Sequence, residues 1–176
     1  MVADISQWAT MFAHAAANNE PATRPTTSWP GVSLDDAYAI QSQTLATRLA
    51  GGESVRAIKL GLTQQAEQDK WSIPHPTFGT LTDSMLLHPG EPFHVSRGHL
   101  PKVEAEIVVV IAADISDRVE SVDHLIPFIA SLHAGIEILD SRYHHGDFHP
   151  VDAVADNQSA LSGVWLTEGV SPVDID

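Results

Sequence analysis

The chain contains no cysteine. That absence excludes disulfide staples, thiolate nucleophiles and cysteine-based zinc sites. Positive charge is scarce too: nine Lys and Arg stand against 23 Asp and Glu, a formal charge of −14. Sequence-independent nucleic-acid binding needs clustered Lys and Arg, which this balance does not supply. Nor is there a basic amphipathic stretch suited to an anionic membrane. No segment approaches the roughly 18 consecutive apolar residues of a membrane span. The opening "MVADISQWATMFAHAAANNE" lacks the positive n-region and unbroken apolar core of a signal peptide. These absences point to a cytoplasmic protein with neither nucleic acid nor membrane as partner.

What remains is a globular composition. Apolar residues make up 43% and charged residues 18% of the 176 positions, enough for one sizeable core. Ile5, Trp8, Phe12 and Ala15 share one helical face across residues 4–17. A Pro/Thr-rich connector over 18–31 leads to a second helix, with Ser33 and Asp36 placed as a capping box and Gly51-Gly52 as its stop. Its expected stripe is Leu34, Ala37, Tyr38, Gln41, Leu45 and Leu49.

Short strands follow. They are expected over 54–62, in two pieces around Asp83-Ser84, over 92–95, over 102–113 and over 134–143. Residues 121–133 read as a helix kinked or shortened by Pro127. "DAVADNQSALSGVWL" closes the pattern with a helical turn and a strand. The expectation is an α+β fold: an N-terminal helical segment (1–52), then a β-rich domain (53–176) built on a mixed or antiparallel sheet.

"KVEAEIVVV" (102–110) carries the first chemical signal. In a strand, residues two apart share a face, so Glu104 and Glu106 stand side by side, with Val108 and Val110 continuing that face into an expected apolar core. Carboxylates beside apolar surface need compensation. Lys102 can balance one of them; a divalent cation can serve both. A third acid, Glu137, lies in the equally apolar "GIEILDSRY". Three carboxylates favour a hard cation, Mg²⁺ or Mn²⁺, over zinc.

"YHHGDFHP" offers a rival site through His144, His145, Asp147 and His149, although its spacing matches no strong zinc pattern. Ser159 and Ser162 lie outside any Gly-x-Ser-x-Gly context. Lys59 sits in an apolar strand just before Gly61, where burial would make it an acid–base candidate. Gly61 itself suggests close backbone approach.

Read together, "AIKLGLT", "FGTLTDSML", "PKVEAEIVVVI", "GIEILDSRY" and "DAVADNQSA" resemble one family in order and spacing, over about residues 33–165. It is the 2-keto-4-pentenoate hydratase and 4-oxalocrotonate (2-oxo-3-hexenedioate) decarboxylase branch of the fumarylacetoacetate hydrolase superfamily. The resemblance implies N-terminal helices followed by a mixed β-roll, with Mg²⁺ or Mn²⁺ held by Glu104, Glu106 and Glu137. It further implies Lys59 as proton donor or acceptor, Ser159 in the substrate pocket, and Asp140 and Arg142 as braces. The implied substrates are 2-oxo-enoic acids from the meta-cleavage of aromatic compounds.

Two departures shape the expectation. Hydratases of this family usually carry Asp in a Pro-Asp-Phe-Gly-like stretch, where this chain has Pro76-Thr77-Phe78-Gly79. That favours a decarboxylase, with the hydratase as alternative. Family members also continue through further strands past the position of Asp176, so the roll is expected to be C-terminally incomplete. Apolar strand edges left exposed would promote a homo-oligomer. An inactive relative acting as a binding subunit is a further alternative. Hydrolytic cleavage of an acylpyruvate would need a Glu-His pair in a lid, and no such motif is evident.

Overall fold

The computed structural model describes residues 4–143 and 149–174. Helix α1 (Ile5–Asn18) begins at Asp4, whose carboxylate accepts the Ser6 N–H at 2.9 Å, and ends at Asn19 in the left-handed conformation. A single turn, α2 (Pro25–Ser28), interrupts the connector. Helix α3 (Leu34–Ala50) has the expected reciprocal cap: Ser33 Oγ accepts the Asp36 N–H, and Asp36 accepts the Ser33 N–H. Gly51 and Gly52 end it as anticipated, Gly52 at φ +97°.

Strand β1 (Val55–Gly61) and β2 (Thr77–Thr82) form an antiparallel pair, joined across helix α4 (Gln65–Trp71), an element the sequence reading left unassigned. Its one buried residue, Gln68, donates to the Leu62 carbonyl at 2.8 Å, so polar anchoring rather than an apolar stripe holds it. The turn after β2 falls where expected, as a 3₁₀ turn over Asp83–Met85. The strand expected at 92–95 does not form; a 3₁₀ turn over Val95–Arg97 stands at its end.

A second antiparallel sheet runs in the order β3, β4, β5. Strand β3 (Lys102–Ile111) pairs with β4 (Ile129–Leu139), with the one-turn helix α5 (Val122–Leu125) between them. The helix expected over 121–133 is thus cut short. Pro127 closes it in a 3₁₀ turn, and residues 129–133 join the ladder opposite 108–111. A short apolar run reads equally well at either period, and strand pairing decides it here. Helix α6 (Pro150–Ala155) and β5 (Ala160–Trp165) complete the chain's main elements.

The core gathers at the helices. Phe12, Ala37, Ile40, Tyr143, Val151 and Val154 pack together, and Ile40 and Val154 are fully buried. Each such side chain contributes about 1.5–3 kcal/mol. The core runs closer to the Ala37–Ile40–Gln41 edge of α3 than its expected stripe, and Leu49 is 41% exposed.

A further expectation is corrected. β3 does not run into an apolar core; it is an edge strand, with Val103 71% and Ile107 76% exposed. Val103, Ala105, Ile107 and Val109 share the face opposite the glutamates, and nothing among the described residues covers it.

Candidate active site

Pairing register assembles the acidic cluster. Glu104 lies directly opposite Glu137, and Glu106 opposite Gly135, so the three carboxylates project from one face of β3 and β4. One oxygen from each lies within 4.8 Å of the others. Glu104 and Glu106 are exposed, while Glu137 is buried. Burial raises the Glu137 carboxyl above its ordinary range; Lys59 opposes the shift, and the charges of Glu104 and Glu106 add to it.

Lys59 reaches this cluster from the other sheet. Its Nζ stands 2.8 Å from Glu137 Oε1 and donates to the Gln158 carbonyl at 3.0 Å. The contact with Glu137 is a close, shielded ion pair, so Lys59 holds Oε1 by charge. Lys102, expected as local charge balance, forms no ion pair among the described residues. Three acids therefore face one cation. Like charges placed directly across a ladder are destabilising unless something positive joins them.

Adjacent oxygens around a six-coordinate Mg²⁺ lie about 3 Å apart, given metal–oxygen distances near 2.1 Å. Three carboxylates with oxygens within 4.8 Å of one another, two of them exposed, fit such an ion with small side-chain movements.

The Ser159 hydroxyl is buried and has no hydrogen-bond partner among the described residues. It sits in an unusual turn: Asn157, Gln158 and Ser159 all adopt left-handed backbone, at φ +52°, +55° and +56°. Each such non-glycine residue costs about 1–2 kcal/mol, so contacts must hold the turn. Asn157 supplies a pair, its side chain accepting the Thr80 N–H and donating to the Thr80 carbonyl, both at 2.8 Å. Gln158 donates to Thr77 Oγ1 at 2.6 Å. Two glycines make room for it. A Cβ on Gly79 would fall 2.5 Å from the Asn157 carbonyl oxygen, and one on Gly61 2.7 Å from Gln158 Oε1. The close approach read from Gly61 is thus to this turn.

Arg142 and Asp140 brace the surroundings. The Arg142 guanidinium pairs with the Asp156 carboxylate and donates to the Asp156 and Ala160 carbonyls at 2.6 and 3.2 Å. Asp140 accepts the His99 and Leu100 N–H groups, each at 2.8 Å. Of the rival histidine cluster, His149 caps α6 by accepting the Val151 N–H, whereas His144, His145 and Asp147 lie outside the described residues.

The sequence reading missed Asn157 and Gln158, and marked Thr77 only as standing where hydratases of the family carry Asp. A signal was present, since Asp-Asn-Gln-Ser is rich in the residues that tolerate left-handed backbone and bond to nearby main chain.

Helices packed against antiparallel sheets, with a carboxylate triad facing a shielded lysine, form a scaffold whose donor set suits a hard cation. No family model matches the chain. Individual relatives do. A 2-keto-4-pentenoate hydratase of Burkholderia vietnamiensis is 38% identical over 147 residues, covering 84% of this chain and 56% of the relative. A 2-hydroxypent-2,4-dienoate hydratase of Pseudomonas putida is 32% identical over 170 residues, covering 92% of this chain and 73% of the relative. The solved 4-oxalocrotonate decarboxylase of Pseudomonas putida G7, complexed with calcium and acetate, superposes with a TM-score of 0.89 at 27% identity. That match covers 98% of this chain and 65% of the decarboxylase. The same enzyme complexed with magnesium and adipate gives a TM-score of 0.86 at 26% identity, with the same coverage.

The chain belongs to the family of 2-keto-4-pentenoate hydratases and 4-oxalocrotonate decarboxylases, the branch of the fumarylacetoacetate hydrolase superfamily expected from its motifs. It spans about half the length of the first curated relatives it matches, 53–56%.

Proposed function

We propose that this chain carries the metal and acid–base residues of a divalent-metal-dependent lyase for 2-oxo-enoic acids, with decarboxylation of 2-oxo-3-hexenedioate as its reaction. The single observation that supports this most is the convergence of Glu104, Glu106 and buried Glu137 on Lys59. In this reading the three glutamates hold Mg²⁺ or Mn²⁺, whose Lewis acidity draws electron density from the carboxylate and keto oxygens of a 2-oxo acid. Lys59 moves the proton, because its Nζ lies beside the cluster and is shielded from bulk water. Ser159 offers its unpartnered hydroxyl to a polar group of the substrate. The β-roll of the fumarylacetoacetate hydrolase type belongs to the same proposal.

Thr77 favours decarboxylation over hydration. It is fully buried, and its hydroxyl is engaged by Gln158, so this position supplies no carboxylate to handle water. Hydration of 2-oxopent-4-enoate is the second reading, favoured by the hydratases among the sequence relatives. With Mg²⁺, loss of ultraviolet absorbance with release of carbon dioxide from 2-oxo-3-hexenedioate is the expected result. Turnover of 2-oxopent-4-enoate alone would select the hydratase. Turnover of neither by well-folded protein would leave a non-catalytic relative.

The same reading includes self-association, because Val103, Ile107, Val109 and Ile136 present an exposed apolar sheet face beside an unpaired edge. Light scattering at rising concentration should show growth beyond the monomer mass. Ile107→Lys should reduce it, and a monomer at every concentration would contradict the expectation.

A further inference from the structure

Lys59 has two acceptors of different kinds. Glu137 is one of the three clustered carboxylates, whereas the Gln158 carbonyl belongs to the main chain of the left-handed turn. If a cation engages Glu137, only the carbonyl is left to hold the lysine. What fixes that carbonyl is not Gln158 alone. The Asn157 side chain pairs with both the N–H and the carbonyl of Thr80, as a neighbouring strand would. Thr80 is itself paired with Ile58, next to Lys59 in β1. Asn157 therefore ties the turn to the ladder that carries the lysine, and the bare Cα of Gly79 lets the two approach.

We propose that Asn157 is a positioning residue: it holds the Gln158 carbonyl where that oxygen anchors Lys59 independently of the carboxylates. Its relevance to turnover rests on the reading of Lys59 as the proton carrier. Asn157 touches neither Lys59 nor the acidic cluster; it acts through the turn.

The chain's lysines are Lys59, Lys70 and Lys102, so amine reactivity reads the anchor site by site. Reductive methylation followed by peptide mass spectrometry would be compared in the wild type, Asn157→Gly and Asn157→Asp. Glycine keeps the left-handed backbone and deletes both hydrogen bonds; aspartate keeps only the acceptor for the Thr80 N–H. Wild-type Lys59, with 11% of its side chain exposed, should react slowly, and Lys70, at 60%, quickly. Local opening of the turn should raise Lys59 reactivity about tenfold in Asn157→Gly and less in Asn157→Asp. Lys70 and Lys102 should not change, which separates a freed anchor from general loosening. If Asn157→Gly fails to fold, the aspartate variant still decides the matter.

Saturating Mg²⁺ should leave wild-type Lys59 protected and expose it further in Asn157→Gly. Equal Lys59 reactivity in wild type and folded variants would overturn the proposal. So would exposure of wild-type Lys59 by Mg²⁺, since Glu137 alone would then have held it. Absence of Mn²⁺ binding by electron paramagnetic resonance would instead refute the cation reading, with the metal-free comparison still deciding the role of Asn157.

Discussion

Replacing Arg142 with Met should destabilise the protein by about 3–5 kcal/mol at neutral pH, and by much less in acid. Asp156 is almost completely buried, and burial pushes its carboxyl up to about 6 even though the Arg142 guanidinium pulls the other way. Nearby Asp140 adds to the upward shift. The guanidinium also serves two carbonyls, of Asp156 and Ala160, that frame the left-handed turn. Methionine fills comparable space but supplies neither the charge nor the donors. An unpaired buried carboxylate costs far more than the net worth of the pair that was lost.

The pH dependence has a definite sign. The unfolded carboxyl titrates near 3.8 and the folded one near 6. Between those values the folded state keeps a proton that the unfolded state has released. Asp156 therefore contributes stability that is fully present below the unfolded value and is lost as pH rises through the folded one. The two-unit shift amounts to about 3 kcal/mol. Without the guanidinium the folded value rises further, so the decline extends to higher pH and the gap between variant and wild type widens above pH 6. Urea unfolding across a pH series would measure this. A penalty under about 1 kcal/mol, or one that does not vary with pH, would contradict the account.

How much of this was legible in the sequence depends on which physics governs each element. Ser33, Asp36 and Gly51-Gly52 act through local backbone chemistry, and the helix they bound forms where they mark it. The spacing of Glu104 and Glu106 is a period-two pattern within one strand, so their shared face was readable. That Glu137 lies opposite Glu104 was not, because register is set by pairing between strands that 17 intervening residues separate (112–128). Residues 129–133 failed for the same reason: Ile, Leu and His fit either period until β3 is placed beside them. Exposure of Val103 and Ile107 was hidden too, since an aliphatic run says what prefers burial and not what covers it. The turn at 157–159 was the hardest to foresee. Its side chains bond to Thr77 and Thr80, far away in sequence, and those contacts hold a backbone that local preference disfavours.

Glu104→Gln combined with Glu106→Gln should produce two effects of opposite sign. In metal-free protein the double variant should be slightly more stable than wild type. It removes two like charges facing Glu137, one of them directly across the ladder, worth about 0.5–1 kcal/mol. Metal response should disappear at the same time. Disturbing groups that merely support metal ligands costs about 10–100-fold in affinity, so losing two candidate ligands outright should cost at least about 100-fold. In the wild type, Mg²⁺ at about 100 times its dissociation constant should add about 2.7 kcal/mol of stability, and the double variant should gain no more than about 0.4 kcal/mol at that concentration. Wild-type affinity should also weaken as pH falls through the raised Glu137 value, since the proton and the cation compete for the same oxygens. Glu137→Gln should behave differently. It removes the carboxylate partner of shielded Lys59, so the metal-free protein should lose about 3 kcal/mol rather than gain. Thermal unfolding with and without Mg²⁺, alongside Mn²⁺ titration by electron paramagnetic resonance, would separate these outcomes. A double variant that binds Mn²⁺ as tightly as wild type would remove Glu104 and Glu106 from the site. A metal-free double variant less stable than wild type would show that their place on β3 is structural, held by contacts other than a shared cation.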